Sequence, residues 1–217
     1  MTDRPRSALS AEPGPDSGRE VEVMGTAPLY QGFFRMVALT LRHRLYSGGW
    51  SAPMTREVFE RGDAVAILLY DPDRDVVVLV EQFRVGTLRH GGPHWMVEVV
   101  AGIQDDGESA EDVARREARE EAGCPVGAVE RISTFYPSPG GCTERITLFC
   151  GRVDSRGITG IHGLAEEHED IRVLPVPAEA AIDALDRDLI RNGITLVALG
   201  WLARHRGRLR REWAGLA

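Results

Sequence analysis

Two long apolar runs joined by a short turn occupy residues 63–84 of the chain. They read DAVAILLYDPDRDVVVLVEQFR, and the Asp and Pro residues of the central DPDRD are turn formers. Strands that are apolar at nearly every position are buried on both faces of a sheet. The segment therefore predicts a buried β-hairpin.

Further strand candidates lie on both sides of a central helix, and helical spacing follows them. The strand candidates are FRMVALTLRHRL from Phe34, TREVFERG from Thr55, HWMVEVVAG from His94, ISTFYPSP from Ile132, RITLFCGRV from Arg145 and EDIRVLPV from Glu169. Residues 177–213 have helical spacing with a break at Asn192-Gly193, which predicts two helices. We therefore expect an α/β fold in which helices sandwich mixed sheets, with a small N-terminal antiparallel β unit.

Composition sets the expected domain boundaries. Residues 1–20 are rich in Pro, Gly, Ser and charge, which predicts a disordered tail. Residues 21–60 form the predicted β unit, and 61–217 the main domain. With 217 residues and 43% hydrophobic content, the chain is long enough for one well-buried domain with a small appendage.

Charge and hydropathy exclude several classes of protein. A formal net charge of -7 argues against a protein that binds nucleic-acid backbone, because that task needs a surplus of Lys and Arg. No apolar run is long enough to span a bilayer, and the first residues lack the hydrophobic core of a secretory signal. Cys124, Cys142 and Cys150 are an odd set without metal-ligand spacing, which favours reduced packing residues. We expect a cytoplasmic protein without membrane or nucleic-acid partners.

A short predicted helix carries three glutamates on one side. It lies in GIQDDGESAEDVARREAREEAG, residues 102–123, where Ser109 is a suitable N-cap and Gly123 suits the left-handed position that ends a helix. Glu117, Glu120 and Glu121 are three and four residues apart, so they crowd like charges. The alternative is a solvent-exposed helix face stabilised by i,i+4 ion pairs, such as Glu111–Arg115, Asp112–Arg116 and Arg116–Glu120. Composition alone leaves both interpretations open.

The order of residues in this stretch resembles the Nudix box, GX5EX7REXXEEXG. Its fixed positions are held by Gly102, Glu108, Arg116, Glu117, Glu120, Glu121 and Gly123. Two positions where the family prefers bulky apolar residues hold Ala118 and Cys124, which puts packing detail in doubt. The resemblance implies a Nudix-type α/β/α sandwich and a hydrolase that cleaves a nucleoside diphosphate linked to another group.

The resemblance also gives the carboxylates a use, because hard oxygen ligands bind Mg²⁺ or Mn²⁺. By match of position, Glu117 and Glu121 are metal ligands, and the carbonyl of Ala101 adds one oxygen. Glu120 is a further ligand or holds water. Arg116, which is counted with Glu120 among the catalytic residues, is expected to join loop and helix through an ion pair with Glu108.

Outside the box, the chain resembles the bacterial ADP-ribose pyrophosphatase branch from about Leu29 onward. Pro139, in FYPSPGGCTE, lies sixteen residues past Gly123 (139 minus 123), at the marker position of that branch. A simple Pro-Gly-Gly turn is the alternative for this proline. The resemblance implies metal-dependent hydrolysis of ADP-ribose to AMP and ribose 5-phosphate.

The acidic stretch GLAEEHEDIRV supplies two further candidates. Carried over by position, Glu167 is the general base that takes a proton from the attacking water, and Glu169 reaches the metals. A mobile loop suits this role, because it can close when substrate and metal are present. A solvated acidic loop is the alternative.

Substrate contacts are carried over in the same way. Arg56 and Arg84 match positions that contact the diphosphate, for which bidentate donors are suited. Glu57 and Glu144 are expected near ribose hydroxyls or metal-bound water. Phe33 resembles an aromatic that stacks on adenine, with core packing as its alternative. In the family this aromatic can come from the partner subunit, so we expect a homodimer with exchanged N-terminal strands.

Two other functions remain open. One is hydrolysis of another nucleoside diphosphate sugar, such as GDP-mannose or ADP-glucose, since the same box serves there. The other is a Nudix-fold sensor that binds ADP-ribose without cleaving it. The retained acidic positions of the box argue against a pure sensor, because binding alone does not need them.

Overall fold

The computed structural model describes residues 20–105 and 107–215. The predicted disordered tail therefore lies almost entirely outside the described residues. The chain divides into two compact units: the first ends at Arg61 and includes Gly140–Cys142, and the second comprises Gly62–Pro139 and the residues from Thr143 onward. In the part of the chain that the structure describes, no helix is long and apolar enough to cross a membrane.

The described residues of the first unit form an antiparallel sheet, as the sequence predicts, but the sheet has three strands where the sequence analysis gave two candidates. Its strands, in the order β1-β2-β3, are β1 (Val21–Gln31), β2 (Arg35–His43) and β3 (Met54–Glu60). All eleven residues of β1 are exposed, and Val37 of β2 is buried. In the part of the chain that the structure describes, the apolar side chains of β1 are therefore exposed to solvent.

The described residues of the second unit form an eight-stranded mixed sheet. Its strands are β4 (Ala64–Asp71), β5 (Val76–Phe83), β6 (Trp95–Glu98), β7 (Val100–Ile103), β8 (Val129–Phe135), β9 (Ile146–Arg152), β10 (Gly160–His162) and β11 (Ile171–Pro177). Six of them run in the order β10-β11-β5-β4-β9-β8, while β6 pairs with β5 and β7 with β4. The β4–β9 pair is parallel and β4–β5 is the predicted antiparallel hairpin, so the sheet is mixed as expected.

Helices cover both faces of this sheet. They are α1 (Ala110–Ala122), α2 (Ala178–Asp186) and α3 (Gly193–Trp213). Every residue of β4 is buried, and its side chains alternate between the faces. Ile67 lies in a core cluster with Val113 of α1, and Leu68 lies in another with Leu202 of α3. The predicted α/β/α sandwich is confirmed.

The run HWMVEVVAG differs from its prediction as one strand. It forms two short strands that pair with different neighbours, β6 with β5 and β7 with β4. The change occurs at Val99, whose N–H donates to Oγ1 of Thr195 in α3 (3.0 Å) instead of to a strand. A side chain distant in the sequence thus interrupts the strand, although the local sequence pattern predicts one continuous strand.

The strand candidate ISTFYPSP is displaced toward the N-terminus. The observed β8 begins at Val129 and ends at Phe135, before Pro137 and Pro139. Prolines have no N–H to donate to the neighbouring strand β9, so the ladder ends ahead of them. The short β10 has no counterpart in the prediction.

Candidate active site

The helix α1 forms where the sequence places it, because both of its ends are capped. Ser109 has extended backbone angles, and its Oγ accepts a hydrogen bond from the N–H of Asp112 (3.2 Å). At the other end Gly123 adopts φ 58°, a left-handed conformation that glycine takes without steric cost. This confirms the predicted start and end of the helix.

Glu121 lies on the buried side of α1. It is 2% exposed, and its Oε2 accepts a hydrogen bond from the N–H of Ala101 in β7 (3.2 Å). Burial raises the pKa of Glu121 to about 8, and the charges of Glu117 and Glu169 act in the same direction. The carboxylate is therefore held in place without a positive charge sufficient to balance it.

Glu117 is a second carboxylate on the same helix, and it is half-buried. Burial raises its pKa to about 7; Arg116 opposes this shift, and the charges of Glu120 and Glu169 add to it. Its carboxylate lies directly against Gly102, where a Cβ atom would come within 1.8 Å of Glu117 Oε1. Only a glycine at position 102 allows the side chain of Glu117 to keep its present position, which explains why the motif begins with a glycine.

Arg116 joins the acidic loop to the helix. Its Nε and Nη2 donate to the two carboxylate oxygens of Glu108 (3.2 and 3.1 Å), while Nη1 donates to Glu117 (2.7 Å) and Glu120 (3.1 Å). The expected ion pair between Arg116 and Glu108 is thus present. These bonds hold the pKa of Arg116 above its ordinary value. Asp112, expected to pair with Arg116, instead accepts from Ser109 Oγ (2.6 Å).

The loop that carries Glu167 and Glu169 is fastened to the end of α1. The N–H of Gly163 donates to the carbonyl of Glu120 (3.2 Å), and Glu169 Oε2 accepts from the N–H of Leu164 (3.1 Å). Glu167 is exposed. Glu169 therefore has a backbone partner within the loop, whereas Glu167, the proposed base, faces solvent.

A cavity of about 330 Å³ lies between this loop and strands β5 and β6. It is lined by Gln82, Phe83, Arg84, Trp95, Glu167, His168, Glu169 and Asp170. Phe83 and Trp95 meet edge to face with ring centroids 5.8 Å apart. The structure thus brings together Arg84, Glu167 and Glu169, which the sequence analysis selected from two separate segments.

The remaining predicted contacts are distributed over both units. Phe33, Arg56 and Glu57 belong to the first unit and are exposed, whereas Glu144 belongs to the second and is 8% exposed. Phe33 is 87% exposed and packs edge to face on Phe34 (4.7 Å), so it is not a core residue of its unit. The core-packing alternative for Phe33 is wrong for the single chain.

Two polar residues near the cavity were not selected from the sequence. Gln82 donates to Glu121 Oε1 (3.4 Å), and Glu98, 3% exposed, accepts from Arg84. Both residues could have been recognised from the sequence, because each is a polar side chain within a mostly apolar strand segment. Such residues are buried only when they have partners.

The donor set fits a divalent cation by its chemistry. Among the residues described, no three His, Cys, Asp or Glu side chains already converge on one point. Glu117 is turned toward Arg116, Glu121 toward Ala101 and Glu169 toward Leu164. Burial raises the pKa values of Glu117 and Glu121, and the negative charge of Glu169 adds to both shifts. Hard oxygen donors of this kind suit Mg²⁺ or Mn²⁺.

Comparison with known proteins agrees with this geometry. Residues 60–192, more than half of the chain, match the NUDIX domain family. The chain belongs to this family. The NUDIX match covers the hairpin, α1 and the acidic loop, and it ends at the residue that caps α3.

Individual relatives of this NUDIX protein are also similar over long stretches. The ADP-ribose pyrophosphatase of Escherichia coli strain K12 is 45% identical over 195 residues, which cover 90% of this chain and 93% of that protein. The GDP-mannose pyrophosphatase of Cronobacter sakazakii is 41% identical over 145 residues, 66% of this chain and 75% of that protein. A crystal structure described as an ADP compounds hydrolase has a TM-score of 0.68 at 17% identity, covering 88% of this chain and 97% of that one. It shows a shared fold.

Proposed function

We propose that this NUDIX protein hydrolyses the diphosphate of ADP-ribose to AMP and ribose 5-phosphate with the help of Mg²⁺ or Mn²⁺. The observation that carries the proposal is the crowding of buried carboxylates: Glu117 and Glu121 lie side by side, with raised pKa values and with the charge of Glu169 acting on both. An anionic diphosphate cannot approach such a cluster unless cations neutralise it. The ADP-ribose pyrophosphatase relatives support the choice of substrate, since they match the first unit as well as the second.

Each residue has a proposed part in the reaction. Glu117, Glu121, Glu120, Glu169 and the carbonyl of Ala101 would hold the metal, which when bound neutralises phosphate charge and lowers the pKa of water. The exposed carboxylate of Glu167 accepts the proton from the attacking water. Arg116 orients the carboxylates of Glu117 and Glu120 through its hydrogen bonds.

The substrate contacts complete the proposal. Arg84 and Arg56 bind oxygens of the diphosphate, Glu57 and Glu144 accept hydrogen bonds from ribose hydroxyls or from water, and Phe33 stacks on adenine. Support for the stacking role is that Phe33 is almost fully exposed and thus available to a planar ligand.

We also propose a cytoplasmic homodimer in which the N-terminal strands are exchanged. The exposed apolar side chains of β1 and the turn after it, among them Val21, Val23, Leu29 and Phe33, support this, because contiguous apolar surface marks an interface. The three free cysteines agree with a reducing compartment. Light scattering should give the mass of two chains for the wild type and of one chain for Leu29→Glu.

A panel of nucleoside diphosphate sugars with Mg²⁺ tests the proposed reaction. Phosphate is measured after phosphatase treatment, because the phosphatase acts on the monophosphate products and not on the intact diphosphate. We expect ADP-ribose to give the highest kcat/KM. Preference for GDP-mannose or ADP-glucose would overturn the substrate and keep the reaction class. Binding of ADP-ribose without hydrolysis of any compound would overturn the enzyme assignment.

A further inference from the structure

Glu98 is a buried carboxylate at the end of β6, and all of its described partners are hydrogen-bond donors. Its Oε2 accepts from Nε and Nη2 of Arg84 (3.0 and 2.7 Å), and its Oε1 accepts from Nδ2 of Asn192 (2.9 Å). The side chain of Glu98 is 4% exposed, whereas that of Arg84 is 43% exposed. One end of the ion pair is thus fixed in the interior, and the other reaches the surface of the cavity.

Asn192 connects Glu98 to the start of α3. Its Oδ1 accepts from the N–H of Thr195 (2.9 Å), the hydrogen bond of an N-cap, and from Thr195 Oγ1 (3.1 Å). Thr195 Oγ1 in turn accepts from the N–H of Val99, the residue after Glu98. A closed set of hydrogen bonds therefore holds the carboxylate from two elements, and it includes a contact between residues 94 positions apart.

The backbone of Arg84 is fixed as well. Its N–H donates to the carbonyl of His94 (2.8 Å), and its carbonyl accepts from the N–H and Oγ1 of Thr87 (3.1 and 2.7 Å). A guanidinium has five N–H donors, and Glu98 accepts only from Nε and Nη2. The Nη1 amino group lies outside this pair and remains for another acceptor.

The acidic surroundings of Arg84 oppose the effect of its burial. Burial acts to lower the pKa of Arg84, but the hydrogen bonding to Glu98 and the charges of Glu98, Glu121 and Glu169 together raise it. Buried ion pairs contribute little net stability compared with apolar residues of similar size, so stability alone does not account for a carboxylate at this position. A fixed orientation of the arginine does account for it, because hydrogen bonds from both Nε and Nη2 to the one oxygen Oε2 restrict a long, flexible side chain to one geometry.

We infer that Glu98, held by Asn192, is a positioning residue that orients Arg84 toward the diphosphate of the substrate. The inference rests on the proposed function and deepens it. Glu98 acts through Arg84 and does not touch the substrate. Its removal should therefore cost activity only while Arg84 is present.

A double-mutant cycle tests this dependence. We compare kcat and KM of wild type, Arg84→Gln, Glu98→Gln and the double variant at saturating Mg²⁺, with melting temperatures measured in parallel. Misplacement of a binding group by about 1 Å lowers activity on the order of 100-fold, which we expect in kcat/KM for Glu98→Gln. In the Arg84→Gln background the same change should lower kcat/KM less than about twofold, as expected for fully coupled residues. An equal loss in both backgrounds would overturn the inference.

Asn192→Ser provides a second variant should Glu98→Gln not fold. Serine is also a good N-cap, so α3 keeps its cap while Glu98 loses its amide donor. We expect a fall in kcat/KM that again disappears in the Arg84→Gln background. Glu130→Gln is the matched control, because it breaks the ion pair of Glu130 with Arg208 (2.7 Å) on β8 and α3. It should leave kcat/KM unchanged in every background.

The two proposals fail in different ways. If the wild type hydrolyses another nucleoside diphosphate sugar in preference to ADP-ribose, the substrate proposal fails and the cycle is run on the preferred compound. If the wild type is active and Asn192→Ser and Glu98→Gln are additive with Arg84→Gln, the positioning inference fails alone. A wild type without activity on any of these compounds overturns both.

Discussion

Asp75 and Glu117 are two carboxylates of similar exposure whose pKa values move in opposite directions. The side chain of Asp75 is 17% exposed and that of Glu117 is 12% exposed. The hydrogen bonds from Arg206 lower the pKa of Asp75, whereas burial raises the pKa of Glu117 to about 7. Burial alone therefore does not decide the charge state of a carboxylate; its neighbours do.

The difference separates a structural site from a binding site. Asp75 accepts from Arg206 and from the hydroxyl of Tyr70 (2.8 Å), so the turn of the β4–β5 hairpin is tied to α3 by groups within the chain. Burial raises the pKa values of both Glu117 and Glu121, and the charge of Glu169 adds to both shifts. The first cluster is complete in itself, and in the proposed function a divalent cation completes the second.

The largest effect is expected from removing the outside cation or one of its ligands. A chelator should abolish hydrolysis, and Glu121→Gln should lower kcat at least about 100-fold, the upper range for residues that only support a metal ligand. The melting temperature of Glu121→Gln should not fall, because the amide oxygen of glutamine can still accept the hydrogen bond from the N–H of Ala101. Steady-state kinetics and thermal unfolding measure both. Full activity in Glu121→Gln would refute the metal assignment.

Asp75→Asn should have the next largest effect, on stability rather than activity. Loss of the charged hydrogen bonds to Arg206 should lower the free energy of unfolding by about 2 kcal/mol. Asparagine tolerates the positive φ of 60° at this position, so the backbone conformation is kept. The activity of the folded fraction should equal that of the wild type.

The same variant has a defined pH dependence. Because the pKa of Asp75 is lowered on folding, its contribution is present above the ordinary value of 3.8 and is lost as the pH falls through the lowered pKa. Urea unfolding from neutral pH downward should show the wild type and Asp75→Asn converging below 3.8. A stability difference that does not change with pH would contradict the role of the charge.

Gly102→Ala should have a smaller effect, confined to the site. The added Cβ would displace the carboxylate of Glu117, which lies at the flexible end of its side chain, so the fold is retained. Displacement of a metal ligand without its removal should lower kcat/KM by about 10-fold, the lower range for altered support of a ligand. Gly86→Ala, where a Cβ would meet no atom within 4 Å, is the matched control. Equal activity of both variants would show that the contact has no catalytic importance.

The smallest effect is expected at the exposed ion pair on the same helix. Glu111, whose side chain is 52% exposed, accepts from Arg115 at i,i+4 (2.7 Å). Glu111→Gln should lower the free energy of unfolding by about 0.3 kcal/mol and leave kcat unchanged. Urea unfolding at low and high salt checks this, because salt should remove the difference. A loss of activity would mean that the whole charged face of α1 takes part in the reaction.

Local signals account for the parts of the molecule that the sequence predicted well. Ser109 and Gly123 define the ends of α1 through bonds to residues within five positions, and the DPDRD turn defines the hairpin in the same way. The break at Val99 and the pairing of Glu98 with Asn192 depend on residues more than 90 positions away. Sequence periodicity carries no information about such contacts. Glu117, Glu120 and Glu121 were identified as candidate metal ligands because the motif places them within one helix.

The hydrogen-bond network around Glu98 depends on residues that are synthesised late. During translation α1, with its carboxylates, leaves the ribosome long before Asn192 and Thr195 are made. Until those two residues arrive, Glu98 lacks its amide partner and Arg84 lacks a fixed support. From the positioning role inferred for Glu98, we expect a nascent chain to reach full turnover only after α3 has been synthesised and has docked on the sheet.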